Sequence, residues 1–149
     1  MKNSGSSSHF ELTVRQSRID GNGMFAMEII PARRKVVEYA GEKIRMREAE
    51  RRFWRMYRKK GTKRMYLAKL SPGWAVDGAV GGNGSELINH SCDPNLFIKR
   101  ERGKIYFYSK RRIRLGEEIT VDYRYAANSI EVPCRCASSK CRGTINLKR

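Results

Sequence analysis

Apolar and polar residues alternate with a period near two in several short runs of this chain. Phe10 to Arg18 suits a strand, and Glu117 to Tyr125 alternates and is rich in β-formers. Lys35 to Ile44 reads as a strand ending at Gly41, and Leu96 to Ser109 as a hairpin turning at Arg102-Gly103. Asp20 to Ala26 reads as a glycine-rich turn running into an apolar pair. Ala75 to Ser85 reads as a short strand followed by a glycine-dense loop. A period of 3.6 occurs in one place, where Met46, Ala49, Phe53, Met56 and Tyr57 mark a helix over Ile44 to Lys60. Periodicity fades from Ala126 onward, and no internal repeat is found. The pattern predicts a β-rich α+β domain with one helix.

A length of 149 residues suits one domain with its own core. The first nine residues are rich in serine and glycine and read as a disordered lead-in. They carry no apolar stretch of the kind a secretory signal needs, and no run is long and apolar enough for a membrane helix, so an intracellular protein without a membrane partner is expected. Lysine and arginine number 32 against 15 acids, a formal charge of +17. Such an excess fits a polyanionic partner, nucleic acid before an anionic membrane surface. The helix carries much of it: ten Lys/Arg and two Glu lie between Arg45 and Arg64. Both an ordinary solvated face and a phosphate-facing one remain open there.

Four cysteines change the picture. Cys134, Cys136 and Cys141 stand as C-x-C-x4-C in the aperiodic tail, which is too short to bury a core. A metal would supply the folding energy such a segment lacks. Three thiolates leave a closed tetrahedral zinc site one ligand short, and Cys92 is the cysteine left to complete it. A site with four protein ligands has no open position, so this zinc would be structural.

The motifs "GNGMFA", "EYAGE", "AVDGAVGGN", "INHSCDPN", "GEEITVDY" and "CRCASSKCRGTIN" occur in one order and spacing. Together they resemble SET-domain protein lysine methyltransferases bearing a post-SET zinc segment, from about Phe10 to Asn146. No cysteine-rich pre-SET region precedes them, so the likeness is to a minimal, free-standing form. The resemblance implies a SET domain over 10–128, with 44–60 as an insert helix, and a post-SET segment over 129–149. It implies small sheets with a threaded C-terminal segment, a pseudoknot, that sets "INHSC" beside "VDY". It implies S-adenosylmethionine as cofactor and a protein lysine as substrate, in a histone or another DNA-associated protein.

Residue by residue, the resemblance makes Tyr123 the catalytic tyrosine and lines the lysine channel with Tyr39, Val121 and Ile98. Asn22, Gly23 and Met24 would hold the cofactor's amino-acid end, with Asn89, and Tyr66 matches another cofactor-contacting position. His90 would meet the adenine through its backbone, and Thr144 and Ile145 would pack nearby. Val121 stands where Phe or Tyr is usual and lacks a hydroxyl, which leans toward more than one methylation. Glu86 stands where relatives often carry arginine, a reversed charge beside the pocket. The implied place of action is the nucleus or chromatin in a eukaryote, and the cytoplasm or nucleoid in a prokaryote.

Overall fold

A computed structural model describes residues 8–59 and 65–149. Among the described residues, ten strands form three small sheets, and one α-helix packs on the outside of one of them. The first sheet comprises β1 (Leu12–Gln16), β2 (Asn22–Ala26), β10 (Glu118–Val121) and β7 (Asn89–His90), in the order β1-β2-β10-β7. The second runs β3 (Lys35–Glu38), β9 (Lys104–Ser109), β8 (Leu96–Glu101). The third runs β4 (Glu42–Arg45), β6 (Trp74–Asp77), β5 (Leu67–Ser71). Ile30, Val36, Leu96, Ile105, Ile113 and Ile119 are among the buried residues of the main core, between the sheets. No helix among the described residues is long and apolar enough to cross a membrane.

The predicted hairpin forms as read. Leu96 pairs with Ser109 and Glu101 with Lys104, and both turn residues take positive φ, 53° at Arg102 and 71° at Gly103. That pair of left-handed residues matches the twist of the flanking strands.

Several boundaries differ from the sequence reading. Asn22–Ala26, read as a turn, is a full strand: β1 and β2 pair from Leu12↔Ala26 to Gln16↔Asn22, and the turn lies before it. Lys35–Ile44, read as one strand, is two strands in different sheets. The Glu117–Tyr125 strand stops at Val121. The helix, α1, spans Met46–Arg58, because Ile44 and Arg45 are claimed by β4 pairing with Ala75 and Trp74. The Met46 N–H, otherwise unpaired at a helix start, donates to Gly73 O at 3.0 Å. Lys60 lies outside the described residues. Ser8 and His9, assigned to the lead-in, bridge to β3: the His9 N–H donates to Val36 O at 2.9 Å.

Helix α1 buries only Ala49, in a small second core with Ile44 and Ala75. Polar bonds add to that anchorage. Arg52 reaches Asp77 at 2.7 Å, Glu42 at 2.8 Å and Glu48 at 2.8 Å, tying the helix to β4 and β6.

Candidate functional site

The site begins with the pairing of β7 and β10. These short strands run parallel, with Thr120 opposite Asn89 and Val121 opposite His90. The buried Asn95 side chain (2% exposed) fixes the register: Oδ1 accepts from Thr120 N at 2.8 Å and Nδ2 donates to Glu118 O at 2.8 Å. Thus "INHSC" and "VDY" lie side by side, although some thirty residues separate them.

Beneath them sits a polar floor that the sequence reading missed. Asn89 Nδ2 donates to Glu118 Oε1 at 2.9 Å, to Asp20 O at 3.1 Å and to Asn22 O at 3.2 Å. With its donors engaged, Asn89 presents its oxygen as the remaining hydrogen-bonding group. Glu118 is itself held by Ser17 Oγ at 2.8 and 2.9 Å. Gly23 leaves room for this contact: a Cβ on it would stand 2.1 Å from Glu118 Oε1 and 3.1 Å from Asn89 Nδ2, so the carboxylate would have to shift. A pairing-dependent role of this kind leaves no signal in a single sequence.

Two adjoining cavities open above this floor. One, of about 450 Å³, is lined by Asp20, Asn89, His90, Tyr123, Cys134 and Ile145 among others. Its volume is in the range of small-molecule sites. The other, of about 160 Å³, adds Asn22, Tyr66, Glu86 and Tyr125, and shares Asn89, Tyr123 and Ile145 with the first. Five expected cofactor residues (Asn22, Tyr66, Asn89, His90 and Ile145) therefore reach cavity walls. Gly23, Met24 and Thr144 do not line either cavity. Gly23 lies in the floor, Met24 is buried in the main core, and Thr144 bridges Pro133 in the tail. Val121 also belongs to that core with Tyr39, and Ile98 and Tyr123 pack against it.

The tyrosine hydroxyls are spoken for as donors. Tyr123 donates to Ile88 O at 2.6 Å, and Tyr39 to Tyr66 O. Burial is the main reason both phenols are pushed well above their ordinary pKa. For Tyr39 the field of Tyr123, Glu86 and Asp77 adds to it; for Tyr123, that of Tyr125 and Asp20. A phenolate is thereby excluded near neutral pH. Each hydroxyl instead offers fixed lone pairs, which orient a donor rather than remove a proton. Tyr125 joins the cluster with its ring 5.6 Å from that of Tyr123.

Next to the larger cavity, Cys92, Cys134, Cys136 and Cys141 hold their sulfurs within 4.8 Å of one another. Cys92 and Cys134 are 3.7 Å apart, too far for a disulfide. That separation is the edge of a tetrahedron with metal–sulfur bonds of about 2.3 Å. Backbone N–H groups point at three of the sulfurs: Cys136 to Cys134, Arg142 to Cys92 (both 3.4 Å) and Gly143 to Cys141 (3.3 Å). The four sulfurs are close enough together to hold one metal ion. The fold therefore brings Cys92 to the three tail cysteines.

His90 joins the two regions. Its Nδ1 accepts from Tyr123 N at 3.1 Å, so in the neutral ring the hydrogen sits on Nε2, which faces Cys92 Sγ at 3.4 Å. Burial keeps the ring neutral by pulling its pKa down to about 4, against the opposing pull of Asp122. Two further links went unread in the sequence. Arg142 grips Asp122 with both guanidinium nitrogens at 2.8 and 3.1 Å, and Asn146 ties Ala126, Ile130 and Val132 into one tail.

A family model described as "SET domain" matches residues 21–124. The chain belongs to the SET domain family. Within it, this SET domain is similar to Histone-lysine N-methyltransferase set1 of Dictyostelium discoideum, 43% identical over 139 residues, covering 91% of this chain and 9% of that protein. It is 39% identical to human Histone-lysine N-methyltransferase SETD1B over 140 residues, covering 91% and 7%. The chain thus spans less than a tenth of the length of these relatives. In fold it resembles the methyltransferase domain of human SETMAR, with a TM-score of 0.79 at 24% identity, covering 95% of this chain and 60% of that one. It also resembles KRYPTONITE, solved in complex with mCHG DNA and SAH, with a TM-score of 0.76 at 26% identity, covering 93% and 29%.

The SET domain frame clarifies Glu86. Its carboxylate accepts from Gly84 N at 2.9 Å, and its side chain fills the space that a Cβ on Gly78 or Gly82 would need. It pins the glycine loop while lining the smaller cavity. It places a carboxylate on the wall of that cavity.

Proposed function

We propose that this chain is an S-adenosylmethionine-dependent protein lysine N-methyltransferase with one structural zinc held by Cys92, Cys134, Cys136 and Cys141. The observation that carries the reading is the β7–β10 pairing, which sets Asn89 and Tyr123 on one cavity wall. The names of the relatives support it.

The cofactor, when bound, supplies an electrophilic methyl group for in-line displacement. The Asn89 oxygen suits the ammonium of the cofactor's amino-acid end, with backbone groups of Asn22, Gly23 and Met24 beside it. The His90 backbone, Thr144 and Ile145 would frame the adenine. Tyr123 and Tyr39, held as neutral hydroxyls, would orient the lysine nitrogen in a channel that continues toward Val121 and Ile98. A lysine has an ordinary pKa near 10.4 and reacts only as the free amine. Removal from water favours that form. Holding nitrogen and methyl in line is then the main source of rate.

Histones or other DNA-associated basic proteins are the proposed substrates, in chromatin for a eukaryotic source and in the nucleoid for a prokaryotic one. A +17 chain repels a basic peptide at long range. Glu86 supplies a local negative charge at the smaller cavity. The buried, hydroxyl-free Val121 supports more than one methylation; product carrying only a single methyl would overturn that. Calorimetric titration of S-adenosylmethionine, followed by labelled-methyl transfer to histones, nucleosomes and cell extract, tests the function. Saturable binding and protein-bound label are expected, with nucleosomes labelled above free peptide. Absence of binding would replace the reading with that of an inactive SET-fold module.

A further inference from the structure

Helix α1 carries arginines that methyl transfer does not use. Arg47, Arg51, Arg55 and Arg58 are all exposed. At 3.6 residues per turn they fall within about 80° of the helix circumference, on the side opposite the buried Ala49. The fifth arginine of the helix, Arg52, points the other way and is consumed by Glu42, Glu48 and Asp77. Arg51 shares Glu48 at 2.6 Å. Arg47, Arg55 and Arg58 have no carboxylate within ion-pair distance, and residues 1–7 and 60–64 contain no acid that could supply one. Lys43 and Arg45, which flank the Trp74 ring at 4.9 and 4.0 Å, lie on the other face of β4 from Ile44 and α1 and form a separate basic group. From there Lys43 comes against Gly103 of the β8–β9 turn, beside Arg102 and Lys104. The exposed row Arg47, Arg51, Arg55 and Arg58 is thus a cationic surface carried by α1 alone.

We infer that this surface docks the phosphate backbone of duplex DNA, without reading sequence. From Arg47 to Arg58 the stripe is about 16 Å long at 1.5 Å per residue. That length faces about five phosphates of one strand at 3.4 Å each. An extended, evenly charged partner matches a row of exposed arginines on a chain of net charge +17. Unpaired nucleic acid would call for free aromatic faces on which bases stack. Trp54, the aromatic in the stripe (46% exposed), is instead held edge-to-face by Phe53 and Tyr57, with centroids at 5.0 and 5.8 Å. The same helix is tethered through Arg52 to Asp77, immediately before Gly78, which lies against the Tyr39 hydroxyl. DNA held on α1 therefore lies near the site.

The test is fluorescence anisotropy of a labelled duplex with the full chain across a salt series, which stands apart from any methyl transfer. Four phosphate contacts give a slope of log K against log salt near −3.6, so affinity falls about 100-fold between 50 and 200 mM salt. The triple variant Arg47→Gln, Arg55→Gln, Arg58→Gln is expected to flatten the slope by about 2.7. Lys110→Gln, Arg112→Gln, Arg114→Gln removes the same charge elsewhere and is expected to leave the slope near wild type. Equal losses in both variants would overturn the inference in favour of diffuse charge. Tighter binding to single strands of equal length would overturn the duplex assignment, and displacement by poly-glutamate at matched charge would point to an acidic protein instead. Circular dichroism of both variants checks that the fold is kept.

Discussion

Gly23→Ala tests the polar floor with the smallest possible change. In an ordinary strand this substitution would stabilise by about 0.4–1 kcal/mol, by restricting the unfolded chain. Here the new methyl would stand 2.1 Å from Glu118 Oε1, so the carboxylate must leave. Leaving breaks its 2.9 Å bond from Asn89 and its 2.8 Å bond from Ser17. Bonds to a charged group contribute about 1.5–3 kcal/mol each. Part is recovered by water, and the net expectation is a loss of about 3 kcal/mol. For a chain of this size that lowers Tm by roughly 6–12 °C. Asn89 also loses the partner that orients its oxygen, so cofactor affinity should fall together with stability. A thermal melt and a calorimetric titration read both, and Glu118→Ala provides the cycle. Once the carboxylate is absent, Ala at position 23 should cost nothing further, which gives a coupling of about 2 kcal/mol or more. If Gly23→Ala melts with wild type, or costs the same with and without Glu118, the floor does not work as described.

Three other outcomes follow from the same contacts. Chelation of the bound metal, or Cys141→Ser, should raise the cofactor Kd about tenfold or more, equivalent to ~1.4 kcal/mol, because Cys134 and Ile145 line the cavity wall and the tail folds with its metal; unchanged affinity in metal-free protein would contradict this. Burial acts to raise the pKa of Glu117, but the Arg111 guanidinium, the Arg114 N–H and Asn95 outweigh it and hold the carboxyl below its usual range. Its stabilisation is therefore present above about pH 4.3 and lost as pH falls through the lowered folded value; urea midpoints should show a shallower acid loss in Glu117→Gln, and parallel curves would refute the assignment. Arg52→Ala should release α1 from Asp77 and Glu42, seen as faster hydrogen exchange of α1 amides while β1 and β2 keep their protection; uniform exchange behaviour would count against it.

Much of the chemistry was legible because it depends on local spacing or on counting. The hairpin turn at Arg102-Gly103 and the four-cysteine set are of this kind. The boundaries that failed were decided by tertiary pairing. Asn22–Ala26 looks like a turn by its glycine, yet that glycine is there to clear Glu118. Ile44 and Arg45 fit the helical period, yet β6 claims them. β7 is two residues long and too short to carry a period, although it places Asn89 and His90. Glu118, Asp122 and Arg142 act through partners distant in sequence, and no pattern along the chain announces such contacts.

The most direct test of the central claim is a single-turnover assay with S-adenosylmethionine and nucleosomes, read by mass spectrometry of modified lysines, comparing wild type with Tyr123→Phe. The variant loses only the hydroxyl that bonds Ile88 O, so it should fold and bind cofactor nearly as wild type does. Methyl-lysine is expected with wild type, and a rate reduced at least about 100-fold, ~2.7 kcal/mol in barrier, with the variant. Equal rates in the two proteins, or no methyl-lysine from a wild-type chain that binds the cofactor, would contradict the central claim.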